Sequence, residues 1–369
     1  LKIISEIGTS HRGDLTLAKE LIDASCKAGA DIVKTQIVYA DEILHKNTGL
    51  VKLPSGDIDL YQEFKRLEKD IFFFQELKSY ADSLNIEFSA SPFGLKSALE
   101  LIDLKLNLIK IASPELNHIE LLEFINDKLK GTDKRVIFSC GVSKLTDIES
   151  AINILKDVNK TLMHCIVQYP AKEEEYNLKL LLNLKNIFGI DTATSDHSKD
   201  PFIIPLISKM LGASYLEKHF TLSNETAGLD DKIALNVNNF KKMTDALKET
   251  KVLDGKILMD EFKEPDIIYK YLNKYVECKK DMILKVLGNG IKKLAHGEIQ
   301  NYETTKRSLH VLFDLKKGEI LNDNNVKALR TEKNLSPGLH PKFKKHILNK
   351  KLAKNIASGE GITFDYIGE

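Results

Sequence analysis

Two lysines and two histidines occupy positions where charge is either costly or useful. Lys34 lies inside the apolar run DIVKTQIV and Lys110 inside LIKIAS. A strand covered on both faces gives an ammonium little access to water, and an unpaired one costs several kcal/mol or loses its proton. Each lysine therefore needs either a fixed carboxylate partner or an anionic ligand. Two lysines accompanied by hydroxyls suit phosphate, or phosphate plus carboxylate. His197 in TATSDHSKD and His219 in EKHF follow two successive β-like runs. Strands in a sheet lie about 4.8 Å apart, so both imidazoles can reach one metal ion. Two histidines with few carboxylates leave most positions of an octahedral ion open to water and substrate, as a Lewis-acid role requires. The consecutive Ser195, Asp196 and His197 also carry the residue types of a nucleophilic triad. Neighbours along a loop point apart, however, whereas triad members converge from separate elements. A plain polar loop is the third alternative. Asp196 either orients the histidine or caps the helix that follows.

The elements that must position these residues follow one rhythm from residue 2 to about 250: a β-rich run, a polar stop, then an amphipathic helix. Strands are predicted over 2–7, 31–38, 86–90, 107–112, 135–139, 161–166, 190–194 and 214–219. In DLTLAKELIDASCKAG, Asp14 can cap a helix whose inward face is Ala18, Leu21, Ile22, Ser25 and Ala28, with Gly29 ending it. Eight β/α units in about 250 residues is the count of a TIM (β/α)8 barrel. An open doubly wound sheet would call for a glycine-rich turn after the first strand, and EIGTSHRGD has no such spacing. In a barrel the active site lies at the C-terminal strand ends. There the sequence places Glu6, Lys34 with Gln36, Ser91, Lys110 with Ser113 and Glu115, Ser139, His164 with Tyr169, the SDHS run, and Glu217 with Lys218 and His219. Any one of these is equally well a loop residue.

Beyond the barrel, expected over residues 1–255, the rhythm breaks across 256–303, which reads as a linker. Residues 304–369 form a small β-rich unit with pseudo-repeated turns, KGE at Gly318 and SGE at Gly359. A unit of about 65 residues has little core of its own and should dock on something. The chain has 54 Lys and Arg against 53 Asp and Glu, a formal charge of +1. That balance gives no overall pull toward nucleic acid or an anionic membrane. Four scattered cysteines argue against a disulfide framework or zinc knuckle and fit a reducing cytoplasm.

Taken together and in order, IISEIGTSHRGDLTLAKELIDASCKAGADIVKTQ, IKIASPE, LMHCIVQYP, TSDHS, EKHFTL, RSLHVLFDLKKGEIL and SGEGIT resemble the sialic acid synthase family. That family includes N-acetylneuraminate, legionaminate and pseudaminate synthases and spore-coat polysaccharide proteins. The resemblance runs along nearly the whole chain and implies a C-terminal antifreeze-like (SAF, β-clip) domain. It implies condensation of phosphoenolpyruvate with an N-acyl amino-sugar, N-acetylmannosamine or a 2,4-diacetamido-trideoxyhexose, releasing phosphate and forming a nonulosonic acid. It further implies that His197 and His219 hold a divalent ion, manganese or magnesium. Lys34, Ser91, Lys110, Ser113, Ser139, Tyr169 and Ser195 match residues that hold phosphoenolpyruvate. Glu6 and Glu115 match the carboxylates around metal, water and sugar, with Glu6 the first candidate for the key proton. Asp230 matches a sugar-binding acid. Arg330 matches an arginine that contacts the acyl group from the partner subunit of a domain-swapped homodimer.

Three departures bear on the pocket and its cover. GLDDK stands where the family has Gly-Pro-Asp-His, leaving Asp231 in place of a histidine; Val167 falls where an asparagine or serine is usual; and RPGNG is absent near Arg330. The connection before LGNGIKK is also longer than usual. Two rivals follow: a degenerate barrel that serves as a binding or scaffold protein, and a synthase that takes a sugar phosphate.

Overall fold

The computed structural model describes residues 1–369 apart from 54–55, 227, 255–262, 333 and 369, and leaves out the side chains of 52, 53 and 263. The strands in chain order are β1 (Lys2–Gly8), β2 (Ile32–Gln36), β3 (Leu50–Leu53), β4 (Gly56–Asp59), β5 (Glu87–Ser91), β6 (Leu108–Ile111), β7 (Arg135–Ser139), β8 (Asn159–His164), β9 (Asp191–Asp196), β10 (Tyr215–Thr221), β11 (Leu235–Asn236), β12 (Arg307–Val311) and β13 (Val326–Arg330). β1, β2 and β5 to β10 pair in order, all parallel, and β10 returns to β1. This is the closed eight-stranded TIM barrel that the spacing predicts, and each of its strands lies within two residues of expectation.

Ile4, Ile32, Leu108, Ile137, Met163, Ala193 and Tyr215, one each from seven strands, form a separate apolar cluster that plugs the barrel. The larger cluster joins the outward strand faces to the helices. The first helix shows how the local sequence sets this up. Asp14 Oδ1 accepts from the Leu17 amide at 2.9 Å, Ala18, Leu21, Ile22 and Ser25 are buried, and Gly29 ends the helix at φ +91, where a side chain would be strained.

The expected boundary at 255–256 lies outside the described residues. The segment read as a linker is largely helical, with helices Lys263–Leu272 and Lys280–Leu287. Ile268, Leu272, Ile283, Val286 and Leu287 are buried within the barrel's own core. The amides of Leu178 and Lys179 donate to the carbonyls of Val286 and Leu287 at 2.8 and 3.0 Å. The longer connection is thus part of the barrel's shell.

In the small C-terminal domain β12 and β13 pair antiparallel. Bridges Leu315 to Ile356 and Ile320 to Lys351 relate the two expected turns, where Gly318 and Gly359 have φ +89 and +92. The domain has its own small core, including Leu309, Val311, Val326, Leu352 and Ile362, and it docks on the barrel of the same chain. Lys344 pairs with Glu120 at 2.7 Å, Asn117 Nδ2 donates to the Arg307 carbonyl at 2.8 Å, and Lys327 Nζ donates to the Asp41 carbonyl at 2.8 Å. Among the described residues no helix is long and apolar enough to cross a membrane.

Candidate active site

A cavity of about 380 Å³ opens at the C-terminal ends of the barrel strands. It is lined by Glu6, Lys34, Ser91, Lys110, Ser113, Ser139, Tyr169, Ser195, His197, His219, Asp230 and Arg330. Of the residues to which the family resemblance gives a site role, Glu115 alone does not line it.

The deep half is a charged cradle. Lys34 Nζ lies 2.5 Å from Glu6 Oε2 and 3.7 Å from Glu217 Oε2, and donates to Ser91 Oγ at 3.2 Å. Lys110 Nζ donates to Ser139 Oγ at 2.6 Å and lies 3.8 Å from Glu217 Oε1. Both lysines are 3 % exposed. Their proton affinities move in opposite directions. Burial works against the charge on Lys34, but Glu217 and Glu6 more than offset it and hold the ammonium above its usual range. Burial also pulls Lys110 down, and Glu217 does not make up the difference against the neighbouring Lys34 charge. Lys110 is thus an under-compensated cation facing the cavity, which an anion would satisfy.

Glu217 joins the two lysines. Burial alone would raise its pKa, but Lys110, Lys34 and the Ser195 hydroxyl, donating at 2.8 Å, bring it down to about 2. The sequence places this carboxylate at the eighth strand end without a role, two residues before His219. The signal was the strand alternation that turns Glu217 and His219 to the same face. The pairing of Glu217 with Ser195 across β9 and β10 completes the link. Ser113 Oγ lies 2.9 Å from Cys165 Sγ and accepts from the Gly141 amide at 3.0 Å, so it braces the cradle from the side.

The imidazoles form the second half. The rings of His197 and His219 lie 5.4 Å apart, with Tyr169 stacked on His197 at 4.4 Å and edge-on to His219 at 5.7 Å. Burial, with His219 beside it, pushes His197 down to about 3. Its Nδ1 lies 2.6 Å from the Ile166 carbonyl, a donor position that leaves the Nε2 lone pair toward the cavity. A neutral imidazole fixed in this way has the form of a metal ligand. Asp230 Oδ2 lies 3.5 Å from His219 Nδ1. Among the described residues no group of three or more His, Cys, Asp and Glu is placed to hold a metal ion; His197 and His219 are the two imidazoles that would contribute to one.

The two alternatives for Asp196 are now distinct. Its Oδ1 accepts from the Tyr176 hydroxyl at 2.9 Å and the Ser198 amide at 2.8 Å, and its Oδ2 from Lys218 Nζ at 2.5 Å. The Tyr176 hydroxyl in turn accepts from the His197 amide at 2.7 Å. Asp196 therefore anchors the backbone of His197, while Asp200 caps the next helix by accepting from the Ile203 amide at 2.6 Å. Ser195 lies 3.2 Å from His197 Nε2, but Asp196 faces Lys218 and Tyr176, so no nucleophilic triad forms. Asp231 has a structural reason as well. It accepts from Ser10 Oγ, Thr226 Oγ1 and the Gly228 amide at 2.6, 2.5 and 2.7 Å, pinning the loop that presents Asp230.

The outer wall is apolar, built by Val51, Leu60, Phe64, Phe93, Leu229 and Ile233. Arg330 crosses the rim with its guanidinium 5.4 Å from the Phe93 ring. Glu115, expected near metal and sugar, lies instead beneath the rim. Its Oε1 accepts from Arg330 Nη2 at 2.5 Å and its Oε2 from Arg307 Nε at 2.5 Å.

Comparison with known proteins places this arrangement. The NeuB family model matches residues 21–258 and the SAF domain model residues 306–367. The chain is 32 % identical over 367 residues to the N,N'-diacetyllegionaminic acid synthase of Campylobacter jejuni, covering 97 % of each chain. It is also 32 % identical over 375 residues to the pseudaminic acid synthase of Helicobacter pylori, covering 99 % of this chain and 97 % of that one. The crystal structure of the spore coat polysaccharide biosynthesis protein SpsE from Bacillus subtilis superimposes with a TM-score of 0.80 at 27 % identity, over 100 % of this chain and 95 % of that one. A lysine-lined cradle, a pair of fixed imidazoles and an SAF domain over the mouth thus coincide with a full-length match, and the chain belongs to the NeuB family.

Proposed function

We propose that this chain joins phosphoenolpyruvate to an open-chain N-acyl amino-sugar aldehyde, giving a nonulosonic acid and inorganic phosphate. The observation that carries the reading is the under-compensated Lys110 beside Lys34 in a cavity with four serine hydroxyls, opposite the paired rings of His197 and His219. Lys34, Lys110, Ser91, Ser113, Ser139 and Ser195 hold the phosphate and carboxylate of phosphoenolpyruvate. His197 and His219 hold a divalent ion, manganese or magnesium, which when bound polarises the aldehyde oxygen. C3 of phosphoenolpyruvate attacks the aldehyde carbon, water adds at C2, and phosphate leaves with cleavage of its C–O bond. Glu6, held by Gln36 Nε2 at 2.8 Å, and Glu217 are the carboxylates within reach of that water's proton. Asp230 meets sugar hydroxyls, and Arg330 meets an acyl carbonyl. The apolar outer wall favours a deoxy, di-N-acylated sugar over a fully hydroxylated one, since a hydroxyl against Leu60 and Phe64 would lose its hydrogen bond. The names of the Campylobacter and Helicobacter relatives agree with that choice.

The test is phosphate release from phosphoenolpyruvate and manganese with N-acetylmannosamine, its 6-phosphate, and 2,4-diacetamido-trideoxyhexoses. Release with the diacetamido sugars, abolished in folded His197→Ala and His219→Ala, is expected. Release with the sugar phosphate alone, or full activity in either variant, would overturn the reading.

A further inference from the structure

One buried carboxylate outside the cavity touches two of the loops that build it. Glu298 belongs to the short helix His296–Ile299 that leads to the SAF domain, and it is 1 % exposed. Its Oε1 accepts from the amides of Val142 and Val167 at 2.6 and 2.8 Å, and its Oε2 from its own helix at Ala295, 3.0 Å. Val142 follows β7 and Val167 follows β8, so one side chain ties two strand ends together. Val142 sits at φ 46, a conformation that a β-branched residue adopts only when its surroundings impose it. Immediately before it, the Gly141 amide donates to Ser113 Oγ and Ser139 holds Lys110. Val167 and Gln168 themselves line the cavity.

The neighbouring contacts reinforce this one. Lys292 Nζ donates to the Cys140 carbonyl at 3.0 Å, and a Cβ on Gly297 would collide with the side chain of Gln168. At the far end of the segment, Tyr302 donates to Asp147 at 3.0 Å and Lys306 pairs with it at 2.9 Å, one residue before β12. The covering domain and the anion cradle are thus joined through a dozen residues seated on the loops after β7 and β8.

We propose that Glu298 is a positioning residue for the anion-binding half of the site, holding the loops after β7 and β8 so that Ser113, Ser139 and Lys110 converge. This rests on the reading that the cradle takes phosphoenolpyruvate. Without the carboxylate, two buried amides lose their acceptor and the strained turn at Val142 relaxes. Asp230 and Arg330, the residues that meet the sugar on this reading, stand on other elements, and the loop after β8 reaches the imidazole side through the Ile166 carbonyl that holds His197.

The experiment measures the KM for each substrate in Glu298→Ala and Glu298→Gln, together with binding of inorganic phosphate to the full chain by calorimetry. Glu298→Ala should raise the KM for phosphoenolpyruvate about tenfold, since relocating one charge-assisted contact is worth roughly that factor, and change the KM for sugar less than twofold. Glu298→Gln, whose amide oxygen still accepts from Val142 and Val167 while its NH2 group loses the Ala295 contact, should recover part of the loss. If Glu298→Ala does not fold, Glu298→Asp, too short to reach both amides, replaces it under the same criteria. An unchanged KM for phosphoenolpyruvate, an equal rise for both substrates, or a Gln variant as impaired as Ala would overturn the proposal. Phosphate that binds the wild type at least tenfold more tightly than the Ala variant supports it even where no sugar is turned over; equal phosphate binding overturns it.

Discussion

Two clusters of buried charge lie near the cavity, and they differ in how their hydrogen bonds are used. At the barrel mouth, Lys34, Lys110, Glu6 and Glu217 face an open space, and Lys110 is held by hydroxyl and carbonyl oxygens with its nearest carboxylate 3.8 Å away. At the seam with the SAF domain, Arg307 is consumed: it donates to Glu115, to the carbonyls of Glu42 and Phe93, and to that of Ala328. Both clusters are buried, so burial alone does not tell a site from a strut. Spare hydrogen-bonding capacity does, because a charge is kept under-satisfied in a protein interior only where a ligand completes it.

The sharpest way to break this distinction is to remove one cation from each cluster. Lys110→Met should lower kcat/KM by roughly 10²–10³-fold, the scale of losing one preorganised charge donor, without lowering the melting temperature. A large drop in stability would make Lys110 a strut after all. Arg307→Ala should strand Glu115 and cost about 3–5 kcal/mol of stability, read as an early melting step and protease access between the barrel and residues 307–369. Arg330 lies between the two classes, since it shares Glu115 but reaches the rim at 12 % side-chain exposure. Arg330→Ala should raise the KM for sugar roughly tenfold and shift melting only slightly, whereas an unchanged KM would put it with Arg307.

The smallest effect concerns pH. Burial, followed by the charges of His45 and Arg307, pushes His310 in the SAF core down to about 4, although its ring bonds the Gly359 carbonyl at 2.7 Å. The folded domain thus refuses a proton that the unfolded chain accepts below about 6.5. Its contribution is complete above that pH and is lost as pH falls toward 4, by at most about 3 kcal/mol. Hydrogen exchange in β12 should rise over that window, and a flat profile would mean that His310 contributes nothing to domain stability.

Much of this was legible in the sequence, for physical reasons. The eight barrel strands announce themselves because each is a short β-rich run closed by a polar stop. Lys34 and Lys110 stand out because an ammonium in such a run needs explaining. What could not be read depends on long-range pairing. Glu217 becomes central only once β9 lies beside β10. Arg307 looks like an ordinary strand start until Glu115, far away in the chain, comes up beneath it. Residues 263–287 read as a break in the pattern because the surface they cover, around Leu178, is equally remote. Glu298 is silent in the same way, as Val142 and Val167, whose amides it accepts from, lie in the loops after two different strands.

The plug of Ile4, Ile32, Leu108, Ile137, Met163, Ala193 and Tyr215 has a consequence for traffic. Behind it, the Arg135 guanidinium donates to the Tyr215 hydroxyl at 2.6 Å and pairs with Glu87, which closes the far end of the barrel. Among the described residues, a molecule resting on Lys34 and Lys110 therefore finds the barrel floor plugged and faces the rim that Arg330 crosses. On the proposed reaction, the anion must arrive before the sugar is seated above it, and free phosphate is held until the new acid moves aside. The turnover would be strictly sequential, set by a vestibule whose floor is plugged.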